Sequence, residues 1–449
     1  MMDFKNFPKL ATNILNMQNR RSFLRYFTLT AAGLPILSAW NTTRANEVDQ
    51  FFSDHAEKFD LTDDEDFWAY IQQSYTTSPN IINLNNGGVS PQPKVVQETF
   101  ENYNRLCNEA PTYYMWKVLN EGREAMRQSL AEISGCSPEE IATNRNSTEA
   151  IETVMFGLNF EKDDEIVACK YDYPSMRNAL KLLEKRKGVK IVWLDVPPTH
   201  DDPSEIVKLY TDSFNSKTKM VLITHMINWT GQIMPVKEIA TAAREKNILS
   251  LVDGAHTFAH LDFKIPDLNC DFFGTSLHKW LCAPFGNGML YMRKDKIASV
   301  YPIFPTDKPE SDDIRKFENL GTRSVPTELA TGRSIDFHNG IGIKRKSERL
   351  YFLKQYWTKK AADIKGVKII TPSSSKLSGA LALFSIEGKK ASEIETELMK
   401  KHGIHTVAIE YEALNGVRVT PNVYTTTADL DRLVSAIEKI ASAPKAEVK

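Results

Sequence analysis

The stretch CDFFGTSLHKWLCAPFGNGMLYMRK, Cys270–Lys294, reads as two strands joined by a polar turn. The runs ending at Ser276 and starting at Gly288 are short, apolar and rich in aromatic side chains, which is a buried-strand pattern. Between them stand His278, Lys279 and Trp280, followed by Gly286 and Gly288. A lysine at a strand end is ordinarily a solvated surface group. A histidine, a lysine and a tryptophan together at one strand end call for a further reason.

Working outward, the same kind of run recurs as EIVACKY, KIVWLDV, KMVLITHM and ILSLVDG, starting at Glu165, Lys190, Lys219 and Ile248. Between several of them lie amphipathic helical patterns: SMRNALKLLEKRKG, PSEIVKLYTDSF and PVKEIATAAREKN. Continuous apolar strands alternating with helices predict an α/β domain around a largely parallel sheet, buried on both faces. Beyond Arg333 a long helical stretch leads to shorter strands and helices, a smaller α+β unit. The expected division is 83–333 for the large domain and 334–449 for the small one, with 46–82 as an N-terminal arm.

Sites in parallel sheets collect at the carboxyl ends of strands. Asp253 and His256 follow one run, Ser276, His278 and Lys279 another, His225 and Asn228 a third, Tyr171 and Tyr173 a fourth. Upstream, Asn146, Ser147 and Thr148 open a helix. Singly, each has an ordinary explanation: a cap, a core histidine, a surface lysine. Together they fit one chemistry. A lysine amine forms a Schiff base with the aldehyde of pyridoxal 5′-phosphate. A carboxylate such as Asp253 keeps the ring nitrogen protonated, so that the ring acts as an electron sink. A helix N-terminus carrying Ser147 and Thr148 suits the phosphate. Tyr173 offers a flat side chain for the ring face.

The segments SLHKWLCAPFGNG, LVDGAH, THMINWTGQIMPV, NRNSTEAI, FENLGT and GVRVTPNVY occur here in the order seen in class V aminotransferases. The sequence resembles most closely the isopenicillin N epimerase-like branch, over nearly the whole chain from Asn83. The resemblance implies the type I fold of these enzymes: a mostly parallel seven-stranded sheet with a smaller C-terminal α+β domain. It implies that Lys279 carries the cofactor and that Asp253 pairs with the ring nitrogen. His256 and Asn228 would approach the phenolic oxygen. Ser147, Thr148, Ser276 and His278 would hold the phosphate, and Tyr173 would stack on the ring. Thr322 in FENLGT would reach a partner subunit's phosphate site, implying a homodimer with shared active sites. Arg418 in GVRVTP would grip the α-carboxylate of an amino-acid substrate, for which a guanidinium fork is suited. Asn86 and Gly88 in NLNNGGVSP would line the substrate mouth.

The reaction stays open between amino-group transfer and epimerisation at Cα, with β-elimination as an alternative and a secreted, non-catalytic binding protein as the rival from another class. Desulfuration by the usual route needs a cysteine shortly before the carboxylate arginine, and no cysteine follows Cys282. A nicotinamide-binding fold is excluded because no GxGxxG follows a strand. The formal net charge of -1 gives no field for nucleic acid or a membrane surface. The five cysteines, scattered without metal spacing, read as small buried residues with no metal site. Residues 1–45 read as an export signal: NRRSFLRYF, Asn19–Phe27, precedes an apolar stretch and small residues. The pair Arg20-Arg21 resembles a twin-arginine signal and predicts a periplasmic protein exported folded with its cofactor; this signal is the only expected membrane contact.

Overall fold

Strand β1 is Ile82–Asn83, β2 Ile141–Asn144, β3 Glu165–Cys169, β4 Lys190–Leu194, β5 Thr218–Thr224, β6 Leu249–Asp253, β7 Phe272–Ser276 and β8 Gly288–Met292. The computed structural model describes residues 50–54, 62–200 and 202–443. The chain divides into two units, Met1–Ala56 and Glu57–Lys449, and the site lies wholly in the second. The expected export signal falls outside the described residues.

Seven strands make the central sheet, in the order β2-β8-β7-β6-β5-β3-β4. From β7 to β4 every pairing is parallel, while β8 runs antiparallel to both β7 and β2. The expected mostly parallel seven-stranded sheet is thus present. Strands β3, β5, β6, β7 and β8 are buried along nearly their whole length because helices cover both faces, while the edge strand β4 is only half-buried. Helix α1 is Glu65–Gln73, α2 Lys94–Glu109, α3 Gly122–Ser134, α4 Ser147–Gly157, α5 Pro174–Lys187, α6 Pro203–Asp212 and α7 Val236–Glu245. Helix α4 lies close on β7, since a Cβ at Gly274 would stand 2.7 Å from Ile151 Cγ1. Only glycine permits that approach. It brings the N-terminus of α4 beside the end of β7.

The expected single connecting helix is two: α8, Val325–Ile341, and α9, Ile343–Ala362. They break at Gly342, whose φ of +83° no helix contains. Helix α8 packs on α2 and α3, so the boundary expected at 333/334 falls inside an element of the large domain. The small domain adds strands β9 Val367–Ile369, β10 Ala382–Ile386, β11 Ile404–His405, β12 Val407–Tyr411 and β13 Leu414–Val419, and helices α10 Ala391–His402 and α11 Thr427–Ser442. Its antiparallel sheet runs β12-β13-β10-β9. Strand β1 pairs in parallel with β11, and Asn86 N–H donates to Thr420 O. The segment expected to open the large domain is therefore bonded to the small one. It reaches back to the main sheet through Ser90 N–H, which donates to His278 O.

Candidate active site

A cavity of about 350 Å³ opens at the carboxyl ends of β5, β6 and β7. Its lining includes Gly88, Ser147, Thr148, Tyr173, Asn228, Asp253, His256, Ser276, His278, Lys279 and Arg418. These eleven sequence-derived candidates come from seven separate segments. Parallel strands all deliver their carboxyl ends to one edge, which is why they meet.

Lys279 sits in the turn after β7, its Nζ 3.3 Å from His256 Nε2. Burial lowers its amine to about 8, with Asp253 acting the other way and Arg418 reinforcing the fall. That releases free amine near neutral pH, the form that attacks a carbonyl. Asp253 is buried and accepts from Ala255 N–H at 3.0 Å. Burial raises its carboxyl, opposed by that hydrogen bond and by Lys279. Among the described residues it has no ion-pair partner. His256 is held neutral, first by burial and then by the charges of Lys279 and Arg418.

The anion end is built on α4. Asn146 Oδ1 caps the helix by accepting from Glu149 N–H, and Ser147 N–H donates to Ser276 Oγ at 2.9 Å. His278 Nδ1 faces Asn287 O at 2.9 Å. Asn287 N–H also points at Nδ1, at 3.4 Å, so one backbone residue holds this edge of the ring and turns Nε2 away from it. Burial pushes the His278 imidazole below its usual range.

Arg418 lies on β13 and is 7% exposed. Its Nη1 donates to Asn228 O at 2.8 Å and its Nη2 to Asn85 Oδ1 at 3.0 Å, while Nε is buried without a partner. Burial lowers the guanidinium to about 10. No carboxylate stands within ion-pair distance among the described residues. Tyr173, 42% exposed, stands just before α5 at the mouth, close enough for its phenol to act on the charge of Arg418.

Two candidates lie elsewhere. Asn86 is fully buried behind the cavity, donating to Thr420 O and Asn83 O and accepting from Tyr424 O–H. It clasps the N-terminal segment to the small domain and does not line the substrate mouth. Its neighbour Asn85 makes the contact to Arg418, and its Nδ2 lies 3.3 Å from His405 Nε2. Thr322 is exposed and outside the cavity of its own chain. His225 and Tyr171, also singled out by position, are buried off the cavity; burial takes His225 down to about 3. Residues that the sequence did not single out include Gly87, Val89 and Thr224. Thr224 Oγ1 donates to the buried Asp172 at 2.6 Å. Successive strand residues face opposite ways, so only one of Thr224 and His225 could reach the cavity.

The cavity fits pyridoxal 5′-phosphate on the character of its donors. A buried amine, a buried carboxylate lacking a cation and a helix N-terminus with hydroxyls share one space. Asn228 Oδ1 and His256 Nδ1, both buried, have no partner. Buried polar atoms are costly to leave unmade, so such orphans mark where an outside group belongs.

Comparison with known proteins agrees. The family model described as Aminotransferase class-V matches residues 82–433. The isopenicillin N epimerase of Streptomyces clavuligerus is 27% identical over 390 residues, covering 83% of this chain and 98% of that protein. A probable cysteine desulfurase of Halalkalibacterium halodurans is 27% identical over 394 residues, covering 82% and 95%. Among solved structures, the apo cysteine desulfurase from Thermococcus onnurineus superimposes with a TM-score of 0.73 at 20% identity, covering 83% and 97%.

Proposed function

The chain belongs to the class-V aminotransferase family and has pyridoxal 5′-phosphate as its cofactor, and from that premise we propose that it moves the proton at Cα of an amino acid, with epimerisation at that carbon as the reaction. One observation carries the reading: Lys279 and an Arg418 that has no acidic partner among the described residues line the same cavity. A buried guanidinium without a carboxylate is incomplete, and an α-carboxylate completes it bidentately.

The cofactor, when bound, supplies the electron sink that makes the α-proton acidic. Ser147, Thr148, Ser276 and His278 would hold its phosphate, Asp253 its ring nitrogen, and Tyr173, His256 and Asn228 the rest of the ring. Arg418 fixes the substrate by its carboxylate and so places Cα against Lys279. Lys279 takes the proton and holds it on Nζ, which a lowered basicity allows it to release again. Epimerisation needs a second acid/base, and the hydroxyl of Tyr173 serves as that group.

Incubating the cofactor-loaded protein with a panel of amino acids in deuterated water tests this. Inverted product carrying deuterium at Cα is the expected result. Keto-acid formation would replace it with amino-group transfer, and absence of any Cα exchange would remove the reading. The similarity to probable cysteine desulfurases favours β-elimination as the second reading, scored in the same panel as ammonia release. No cysteine lines the cavity, which counts against sulfur transfer to a cysteine of the enzyme.

The proposal includes a homodimer in which each Thr322 serves its neighbour's site. Mixing Lys279→Ala with Thr322→Ala protomers should then restore activity through one undamaged site per dimer. No gain on mixing would argue for self-contained sites.

A further inference from the structure

The turn that carries Lys279 breaks several local rules within four residues. Cys282 adopts φ +57°, a left-handed conformation that side-chain-bearing residues rarely hold. Trp280 Nε1 is buried without a hydrogen-bond partner, on a ring stacked 3.9 Å from that of His260. Behind them stands Lys346 of α9, 3% exposed and with no carboxylate in ion-pair distance among the described residues. Such violations persist where the surrounding structure imposes them, and they gather at functional sites.

What imposes this one is visible in the hydrogen bonds. Three successive carbonyls of the turn are each taken by a donor. His278 O accepts from Ser90 N–H at 3.1 Å and Lys279 O from Cys282 N–H at 3.2 Å. Trp280 O accepts from Lys346 Nζ, a side-chain donor 66 residues away, and more weakly from the Cys282 thiol at 3.8 Å. Lys346 Nζ also lies 3.5 Å from His338 Nδ1. The Cys282 sulfur accepts from Tyr75 O–H and Asn422 Nδ2, each at 3.7 Å. A buried ammonium without a counter-ion is a poor way to stabilise a fold, and burial accordingly lowers the Lys346 amine to about 8.

We propose that Lys346 is a positioning residue for Lys279: by holding the Trp280 carbonyl it fixes the backbone from which the Lys279 amine meets the cofactor aldehyde. The inference rests on Lys279 being the cofactor lysine. A positioning role and a merely structural one predict opposite signs. Lys346→Met keeps the length of the side chain and deletes both the charge and the donor. A positioning role predicts a protein as stable as wild type or more so, because an unpaired buried charge is gone. It would nevertheless capture cofactor on Lys279 about tenfold more slowly, the scale of a small misplacement of a reacting group.

The experiment adds pyridoxal 5′-phosphate to apo-protein and traps with borohydride at timed intervals. The modified lysine is mapped by mass spectrometry, and thermal midpoints are measured in parallel. Lys346→Gln, which keeps N–H donors on a shorter arm, should recover part of the rate and serves if the methionine variant fails to fold. Wild-type trapping at a lysine other than Lys279 would remove the reading on which the inference rests. Trapping on Lys279 at unchanged rate in Lys346→Met would overturn the inference alone. So would a rate that falls only in step with the thermal midpoint, or two variants that both fail to fold.

Discussion

Arg127 and Arg418 are both buried arginines, and the structure treats them in opposite ways. Arg127, on α3, donates to both oxygens of Glu318 at 2.6 and 2.9 Å, to Glu124, and to Ile141 O at 2.6 Å. Burial disfavours its charge, but Glu318 and then Glu124 more than offset this and raise its basicity. Glu318 in turn meets Arg123 and Arg323, and Thr143 N–H donates to it at 2.7 Å. Through Glu328, which pairs with Arg123 and Arg323, that network ties α3, β2 and α8 together in the folded chain. Among the described residues Arg418 meets two neutral oxygens and no carboxylate, and burial lowers its basicity. Where the chain supplies its own counter-charges the cluster is architecture. Where it withholds them, beside a cavity, the missing charge is to come from a ligand.

The widest gap between the two regions is expected in stability. Glu318→Gln takes from the buried Arg127 its bidentate carboxylate, leaving it the half-exposed Glu124, and should cost about 3–5 kcal/mol in chemical denaturation. Arg418→Leu removes a charge that was never paired and should leave the denaturation midpoint unchanged or raise it. Equal losses in the two variants would break the comparison. In activity the order reverses. Arg418→Ala should lose about 2–5 kcal/mol in kcat/KM for an amino acid, and far less for the matching decarboxylated amine. Asn85→Ala, which removes only the neutral partner of Nη2, should lose about 0.5–1.5 kcal/mol, mostly in KM. If both substrates suffer equally in Arg418→Ala, the arginine does not read a carboxylate.

A smaller effect sharpens the picture through pH. The neutral amine is the attacking form, so the rate at which apo-protein captures cofactor on Lys279 should rise with pH up to about 8 and level off above it. An exposed lysine would go on gaining past pH 10, near its ordinary value. The charge of Asp253 raises the Lys279 amine and that of Arg418 lowers it. Asp253→Asn should therefore move the midpoint down, and Arg418→Ala should move it up. Stopped-flow absorbance across pH checks both signs, and shifts in the reverse directions would refute this account of the cavity.

The residues Asp253, His256, Ser276, His278 and Lys279 were legible because chemistry and position coincided: unusual polar types stood where apolar runs stopped, whereas Arg418, inside an apolar strand, came through the family resemblance. Asn85 and Lys346 carried no such mark. One was hidden beside a more suggestive neighbour, and the other sat in a basic helical stretch, IKRKSERL, where a lysine reads as solvated. The buried network around Glu318 was equally silent, since its arginines and glutamates are spread from Arg123 to Glu328.

Local periodicity and residue chemistry, both present in the linear chain, determined the parallel sheet, the edge at which the site would form and the cofactor it would take. Tertiary structure alone decided that β1 joins the small domain, that Asn85 rather than Asn86 meets Arg418, and that Lys346 reaches the turn of Lys279. Each of those depends on register or on contact between distant segments. A shift of one residue in an extended segment turns a side chain from one face to the other, and nothing in the local pattern records which face the distant partner will occupy.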